Sequence, residues 1–135
     1  MKFDMQKCLR RCIDDNPLDL RWEGPFLLGE IEKHPKLIKR MVGVYRFYRK
    51  GIRRVWYIGR AVEYKNGGLR KRLRDYVRKS DSARKSGIGP QAYRDRSQIL
   101  VWVMYVGDDL KAVLITRLLE WLLIRRLKPI GNKQL

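Results

Sequence analysis

Two tyrosines, Tyr45 and Tyr57, lie in short segments rich in aromatic and β-branched residues. Residues 43–45 and 55–59 have the composition of β-strands. The polar segment between them contains Gly51 and predicts a hairpin turn, which would place both tyrosines on neighbouring antiparallel strands. Alone, the two would be ordinary strand aromatics. A phenol that faces a reacting group can also orient water or, once ionised, accept a proton.

A cationic helix is predicted directly after the second strand. It contains the pattern Leu69-x-x-Arg72-Leu73-x-x-Tyr76. The guanidinium of Arg72 stays charged and can contact two phosphate oxygens at once, so it is a candidate for binding a phosphodiester. Arg70 and Arg74 are rival candidates, and a generic basic helix is the simpler interpretation.

Glu120 is the one acidic residue in the last predicted helix beyond Asp108 and Asp109, and it has apolar neighbours. A carboxylate in such surroundings needs a cation or an ion-pair partner. On these residues alone, a salt bridge with Arg117 or Arg125 on an exposed face remains an alternative. Asn132 follows twelve residues later, beyond Pro129.

The charge of the chain is concentrated around these residues. The formal net charge is +18 and the isoelectric point is about 10.4. Residues 43–97 carry +13, against +2 for residues 1–42 and +3 for residues 98–135. This gradient favours a polyanionic partner over a merely solvated surface, and the interrupted basic segment does not favour a membrane surface.

Length and composition predict one globular domain. The 135 residues are sufficient for a hydrophobic core. The chain has no long apolar run and no apolar signal core, so we expect no membrane partner and a cytoplasmic location. Cys8 and Cys12 are expected to pack rather than to bind zinc or form a disulfide, and His34 is expected to be a surface or packing residue.

The predicted elements divide the chain into two parts. Residues 1–42 are expected to be an N-terminal extension packed on the core, and residues 43–135 to be the core itself. Its expected order is strand 43–49, strand 54–60, helix 68–78, loop 79–96, strand 98–106 and helix 109–127. The apolar strand 98–106 is expected to be central. The basic loop 79–96 could follow a phosphate backbone.

Two details concern the last predicted helix. Asp108 or Asp109 is expected to cap its N-terminus. One face of this helix is expected to pack on the core, because residues recur at helical intervals, namely Leu110, Val113, Leu114, Arg117, Leu118, Trp121, Ile124 and Arg125.

The combination of two tyrosine motifs, an arginine helix, and a glutamate followed by proline and asparagine resembles the GIY-YIG nuclease family. The resemblance covers residues 43–132. It implies an α/β (α+β) fold with a small, three-stranded, mostly antiparallel sheet flanked by helices, here with a helical N-terminal extension. It also implies a hydrolase that cleaves phosphodiester bonds of DNA as a metal-dependent endonuclease, similar to small stand-alone phage-type or restriction-type enzymes.

The resemblance assigns roles to individual residues. It implies the catalytic residues Tyr45, Tyr57, Arg72, Glu120 and Asn132. Tyr45 would activate or orient water, and Tyr57 would support the nucleophile or the phosphate. Glu120 would hold Mg²⁺ or Mn²⁺, and Asn132 would order Glu120 or the substrate. The products would carry 5′-phosphate and 3′-hydroxyl ends.

Two departures from the family pattern are visible. Arg60 stands where many relatives carry lysine, and it can contact phosphate but cannot easily accept a proton. The segment from Tyr57 to Arg72 is longer than in compact members, so residues 63–68 are expected to form a loop. Residues expected to contact DNA are Arg60, Arg70, Lys71, Arg74, Arg78, Lys79, Arg84 and Lys85.

Two other interpretations remain open at the level of sequence. The chain could be a non-catalytic nucleic-acid-binding module of the same fold, or a structure-specific repair or recombination nuclease. The resemblance implies DNA as the partner, and a homo-oligomer is compatible with one active site per chain.

Overall fold

A four-stranded antiparallel sheet forms the centre of the protein. The computed structural model describes residues 20–78 and 87–132. Its strands are β1 (Glu23–Leu27), β2 (Val42–Arg49), β3 (Tyr57–Ala61) and β4 (Ile99–Gly107), in the order β1-β4-β2-β3. The mixed α/β class is confirmed, and the apolar strand is central as predicted.

The expectation of three strands was wrong, because residues before position 43 contribute a strand. In β1, Phe26 pairs with Val101 and Leu27 with Leu100 of β4. Pro25 within this segment weakened the strand pattern, since proline cannot donate a ladder hydrogen bond. It is tolerated here because β1 lies at an edge of the sheet.

Four α-helices accompany the sheet within the described residues. They are α1 (Glu30–Lys33), α2 (Gly68–Val77), α3 (Gly89–Arg94) and α4 (Leu110–Leu127). Short 3₁₀ helices are formed by Pro35–Leu37 and Arg96–Gln98. The two long helices lie where the sequence predicts them. Asp109 caps α4, because its carboxylate accepts a hydrogen bond of 2.8 Å from the backbone N–H of Ala112.

The region predicted as loop 79–96 is not wholly irregular, because α3 lies within it. Residues 79–86 lie outside the described residues, as do residues 1–19, which contain Cys8 and Cys12. The second strand also begins later than predicted, at Tyr57.

The two faces of the sheet bury different cores. Tyr45 and Phe47 of β2 pack with Leu69, Leu73 and Tyr76 of α2 on one face. The alternating residues of β2 point the other way, which places Val42 and Val44 against α4. Each side chain of β2 is therefore assigned to the α2 side or the α4 side of the sheet.

Helix α4 buries only part of the face that its spacing predicts: Val113 and Ile124 of that set are buried, but several of its large apolar residues are not. Leu110, Leu114 and Trp121 are 62%, 61% and 40% exposed. The buried residues are Ala112, Val113, Thr116, Leu119 and Ile124. Leucine and isoleucine occur on every side of this helix, so hydrophobic periodicity could not select the face that packs on the sheet.

Candidate functional site

A cleft of about 420 Å³ lies at the β3 edge of the sheet, between α2 and α4. Its polar lining includes Tyr45, Tyr57, Arg60, Lys71, Arg72 and Glu120. Four of the five residues expected to be catalytic therefore border one space, although they belong to four different elements.

The pairing of β2 with β3 explains how both faces of the sheet contribute to this cleft. Tyr45 is opposite Gly59 and Phe47 is opposite Tyr57, so both tyrosines lie on the α2 side. Val44 is opposite Arg60, so Arg60 extends on the α4 side. Because β3 is the edge strand, side chains from both faces can meet around it.

Tyr45 lies at the bottom of the cleft and is fully buried. Its hydroxyl is 2.7 Å from the hydroxyl of Tyr76 and accepts a longer hydrogen bond of 3.4 Å from Nε of Arg72. The ring lies directly over Gly59, where an added Cβ would be 2.3 Å from the Tyr45 hydroxyl oxygen. Only glycine at position 59 leaves room for this position of the tyrosine.

Burial controls the protonation of this phenol. It raises the pKa of Tyr45 to about 12; neighbouring Tyr57 adds to the increase, and Arg72 opposes it. Burial likewise raises the pKa of Tyr57 and of Tyr76 above their ordinary value. In the free protein at neutral pH, Tyr45 is therefore a neutral phenol, which can orient a neighbouring group but is a poor proton acceptor.

Arg72 and Tyr57 also line the cleft. The Arg72 side chain is exposed, and its guanidinium carbon lies 5.6 Å from the centre of the Tyr76 ring. Tyr57 is partly buried, with its ring centre 6.2 Å from that of Tyr45. The arrangement places a fixed positive charge beside two phenols.

Glu120 forms an ion pair with Arg60 across the cleft. Nη1 of Arg60 donates to Oε1 of Glu120 at 2.5 Å, and the two side chains are 44% and 14% exposed. The carboxylate is therefore shielded while the guanidinium borders solvent. Arg117 and Arg125 were the partners that the sequence suggested for Glu120, but Glu120 pairs with Arg60 of β3.

The carboxylates of the cleft decide whether it fits the expected divalent cation. Among residues 20–78 and 87–132, no group of three or more His, Cys, Asp or Glu side chains could hold a metal ion. Three carboxylates line the cleft, and those of Glu63 and Asp75 are paired with Lys71. A single further carboxylate fits Mg²⁺, which commonly retains several water ligands and takes few from the protein. Glu120 fits this requirement, provided that Arg60 leaves the carboxylate oxygen.

Asn132 makes its hydrogen bonds to the backbone of β3. Its Nδ2 donates to the carbonyl of Ile58 at 2.8 Å, and its Oδ1 accepts from the N–H of Ile58 at 2.9 Å. The side chain amide thereby bonds the edge of β3 as a further strand would. Asn132 therefore braces β3 and is not one of the residues that line the cleft.

The predicted DNA-contacting residues of α2 have different surroundings. Lys71 lines the cleft and forms ion pairs with Asp75 at 3.3 Å and Glu63 at 3.7 Å. Nε of Arg70 donates to the carbonyl of Ile38 at 2.7 Å, which ties α2 to the preceding segment.

The other residues predicted to contact DNA do not line the cleft within the described residues. Arg74 is partly buried and Arg78 is exposed at the end of α2. Lys79, Arg84 and Lys85 lie outside the described residues.

Tyr76 and Asp75 contact site residues, although neither was predicted to belong to the site. Tyr76 follows Arg72 by four positions, so helical spacing places both on one side of α2. That spacing could have indicated from the sequence that Tyr76 lies beside Arg72. The meeting of Tyr76 with Tyr45 required the packing of α2 on β2.

Within the described residues, no helix is long and apolar enough to cross a bilayer. The chain matches no protein-family model, no curated protein and no solved structure in the comparisons made.

Proposed function

We propose that the protein is a metal-dependent DNA endonuclease of the GIY-YIG type. One observation carries the proposal: Tyr45, Tyr57, Arg60, Arg72 and Glu120 line the same cleft at the β3 edge. Phosphodiester hydrolysis needs an oriented water, positive charge at the phosphate and stabilisation of the leaving oxygen. This set contains a candidate for each requirement.

The two arginines would bind the scissile phosphate. Arg72 is exposed to the cleft beside the phenols, and Arg60 borders it from the other side of β3. Two guanidiniums on opposite sides can hold the non-bridging oxygens and neutralise negative charge as it increases. Arg60 would act through its charge, since it is a poor proton acceptor.

The tyrosines would orient the attacking water. Tyr57 reaches the cleft, and Tyr45 supports the position of Arg72 through its hydroxyl. Because the pKa of Tyr45 is raised to about 12, orientation by hydrogen bonding is favoured over proton abstraction by this residue in the free protein.

Glu120 would hold Mg²⁺ or Mn²⁺ after separating from Arg60. Bound there, the ion would supply Lewis-acid stabilisation of the phosphate and of the leaving oxygen. Asn132 would act at a distance, by fixing the β3 backbone from which Tyr57 and Arg60 extend.

DNA is the proposed substrate because of the charge distribution. The net charge of +18 favours a polyanion. The cleft itself is lined by three basic side chains, Arg60, Lys71 and Arg72, together with the carboxylates of Glu63, Asp75 and Glu120. A net charge of this size binds nucleic acid of any sequence at low salt, so binding alone does not identify a substrate.

A non-catalytic binding module of the same fold is the second candidate. It is favoured by the neutral state of Tyr45 and by the ion pair that occupies Glu120. Both features are compatible with a basic cleft that binds a phosphate backbone without cleaving it.

Cleavage of supercoiled plasmid with Mg²⁺, at about 150 mM salt to weaken nonspecific binding, separates the two candidates. We expect wild type to nick or linearise the plasmid and Glu120→Gln to be slower by about 100-fold or more. Asp108→Asn is the matched control, since it makes the same charge change at an exposed residue outside the cleft.

The outcome on other substrates completes this test. If wild type cuts branched DNA but not plasmid, the enzyme is a structure-specific nuclease. If it binds plasmid, branched DNA and RNA but cuts none of them, the endonuclease proposal is wrong and the binding module is supported.

A further inference from the structure

Arg60 and Glu120 form an ion pair whose two members are needed for different ligands in the proposed function. Oε1 of Glu120 accepts from Nη1 of Arg60 at 2.5 Å. A carboxylate in this contact is a poor ligand for a divalent cation, because the guanidinium blocks one oxygen and repels the ion.

The geometry favours movement of the arginine rather than of the glutamate. The Arg60 side chain is 44% exposed, whereas the Glu120 side chain is 14% exposed and extends from the long helix α4. The backbone of β3 is held close by, since both polar groups of Ile58 bond to Asn132. A change of the Arg60 rotamer can therefore release the carboxylate without any movement of the strand.

An anion in the cleft would give Arg60 an alternative partner. Arg72 also lines this space, so a tetrahedral oxyanion entering it meets a second guanidinium. Lys71 is nearby but is ion-paired with Asp75 and Glu63. A guanidinium can make two parallel hydrogen bonds to such an anion, as it can to a carboxylate. Transfer of Arg60 from Glu120 to the anion would leave the carboxylate available for a cation.

We propose that Arg60 exchanges between Glu120 and the substrate phosphate, so that divalent cation binds at Glu120 chiefly when phosphate is present. This inference rests on the proposed function for the identity of the phosphate. Anion and cation binding are then positively coupled, and each strengthens the other by the same factor. The protein without substrate holds the cation weakly.

Binding of Mn²⁺ alone, followed by the loss of the free-ion electron paramagnetic resonance signal, tests the exchange without any cleavage. We expect Arg60→Gln to bind Mn²⁺ about tenfold more tightly than wild type, because the competing charge is gone. The double variant Arg60→Gln with Glu120→Gln should lose this gain. Arg53→Gln is the charge-matched control on the exposed hairpin, and its affinity should equal that of wild type.

A conservative variant and a simple anion sharpen the test. Arg60→Lys retains a positive charge and should keep the weak wild-type affinity for Mn²⁺. Sulfate, added at constant ionic strength, should strengthen Mn²⁺ binding to wild type severalfold but leave Arg60→Gln unchanged.

Four results would overturn the exchange. The first is equal Mn²⁺ affinity in wild type and Arg60→Gln, and the second is a gain in Mn²⁺ affinity that persists in the double variant without the Glu120 carboxylate. The third is an equal gain in Mn²⁺ affinity in Arg60→Lys, and the fourth is no effect of sulfate on Mn²⁺ binding to wild type. Each leaves the endonuclease proposal standing if plasmid is still cut. Conversely, the Mn²⁺ results could be as expected while no substrate is cleaved. The exchange of Arg60 would then be supported and the endonuclease proposal would be wrong.

Discussion

The hydroxyl of Tyr45 lies 2.7 Å from the hydroxyl of Tyr76, and this contact joins strand β2 to helix α2 within the buried core. Tyr45 also accepts a hydrogen bond from Arg72, one turn before Tyr76 on the same helix. The position of the exposed arginine is thereby linked to the packing of two buried phenols. Changes in the core beneath the cleft are expected to alter the cleft itself.

Tyr76→Phe should lower the free energy of unfolding by about 1 kcal/mol, because the buried Tyr45 hydroxyl loses a hydrogen-bond partner. Urea unfolding followed by circular dichroism measures the loss. Tyr105→Phe is the control, since its hydroxyl accepts from the N–H of Lys39 at 3.1 Å near the surface. A loss no greater than in this control would mean that the Tyr45–Tyr76 contact contributes little to stability.

Gly59→Ala should destabilise the protein by about 1–3 kcal/mol through overpacking. Its Cβ would lie 2.3 Å from the Tyr45 hydroxyl oxygen and 2.4 Å from Cζ of the same ring. Gly29→Ala, where the nearest atom is 3.5 Å away and φ is −63°, should change stability by less than about 0.5 kcal/mol. Thermal unfolding of both variants provides the comparison, and similar melting temperatures would contradict the close approach of Tyr45 to β3.

Asn132→Asp should lower stability by about 1–3 kcal/mol, since a carboxylate oxygen would replace the Nδ2 donor that faces the carbonyl of Ile58. Asn132→Ala should lower stability less, because it places no carboxylate oxygen against the carbonyl of Ile58. Mn²⁺ affinity at Glu120 should remain unchanged in Asn132→Ala. Unchanged stability together with lost Mn²⁺ affinity would instead place Asn132 in the metal site.

Stability should fall at high pH because the pKa of Tyr45 is about 12 in the folded protein, against an ordinary value of 10.0. Between these values the unfolded chain has lost the proton that the folded chain retains, so rising pH favours unfolding. Tyr45 makes its full contribution to the free energy of unfolding below its unfolded-state pKa of 10.0. That contribution falls by roughly 2–3 kcal/mol as pH rises through the folded-state pKa. The raised pKa values of Tyr57 and Tyr76 act in the same direction.

Urea unfolding at a series of alkaline pH values measures this dependence, and phenolate absorbance reports the ionisation directly. Tyr45→Phe should show a shallower decrease in unfolding free energy between the two pKa values. A slope identical to that of wild type would show that Tyr45 ionises as readily in the folded protein as in the unfolded chain.

The sequence by itself determined the local elements that carry the candidate site. The strand composition around Tyr45 and Tyr57, with Gly51 between them, predicted an antiparallel pair, and β2 and β3 form one. The basic helix with Arg72 and the capping role of Asp109 followed from neighbouring residues alone. Such features depend on backbone preferences and contacts within a few positions, which a single sequence displays directly.

Only the tertiary structure decided which of these elements meet. Tyr45 contacts Tyr76 across 31 positions, and Arg60 contacts Glu120 across 60. The edge strand β1 was obscured by Pro25, and the buried face of α4 could not be chosen among apolar residues on all its sides. These contacts depend on strand order and on how each helix packs against the sheet. Strand order and helix packing depend on the apolar surface buried throughout the domain, and no short sequence pattern indicates how that surface is buried.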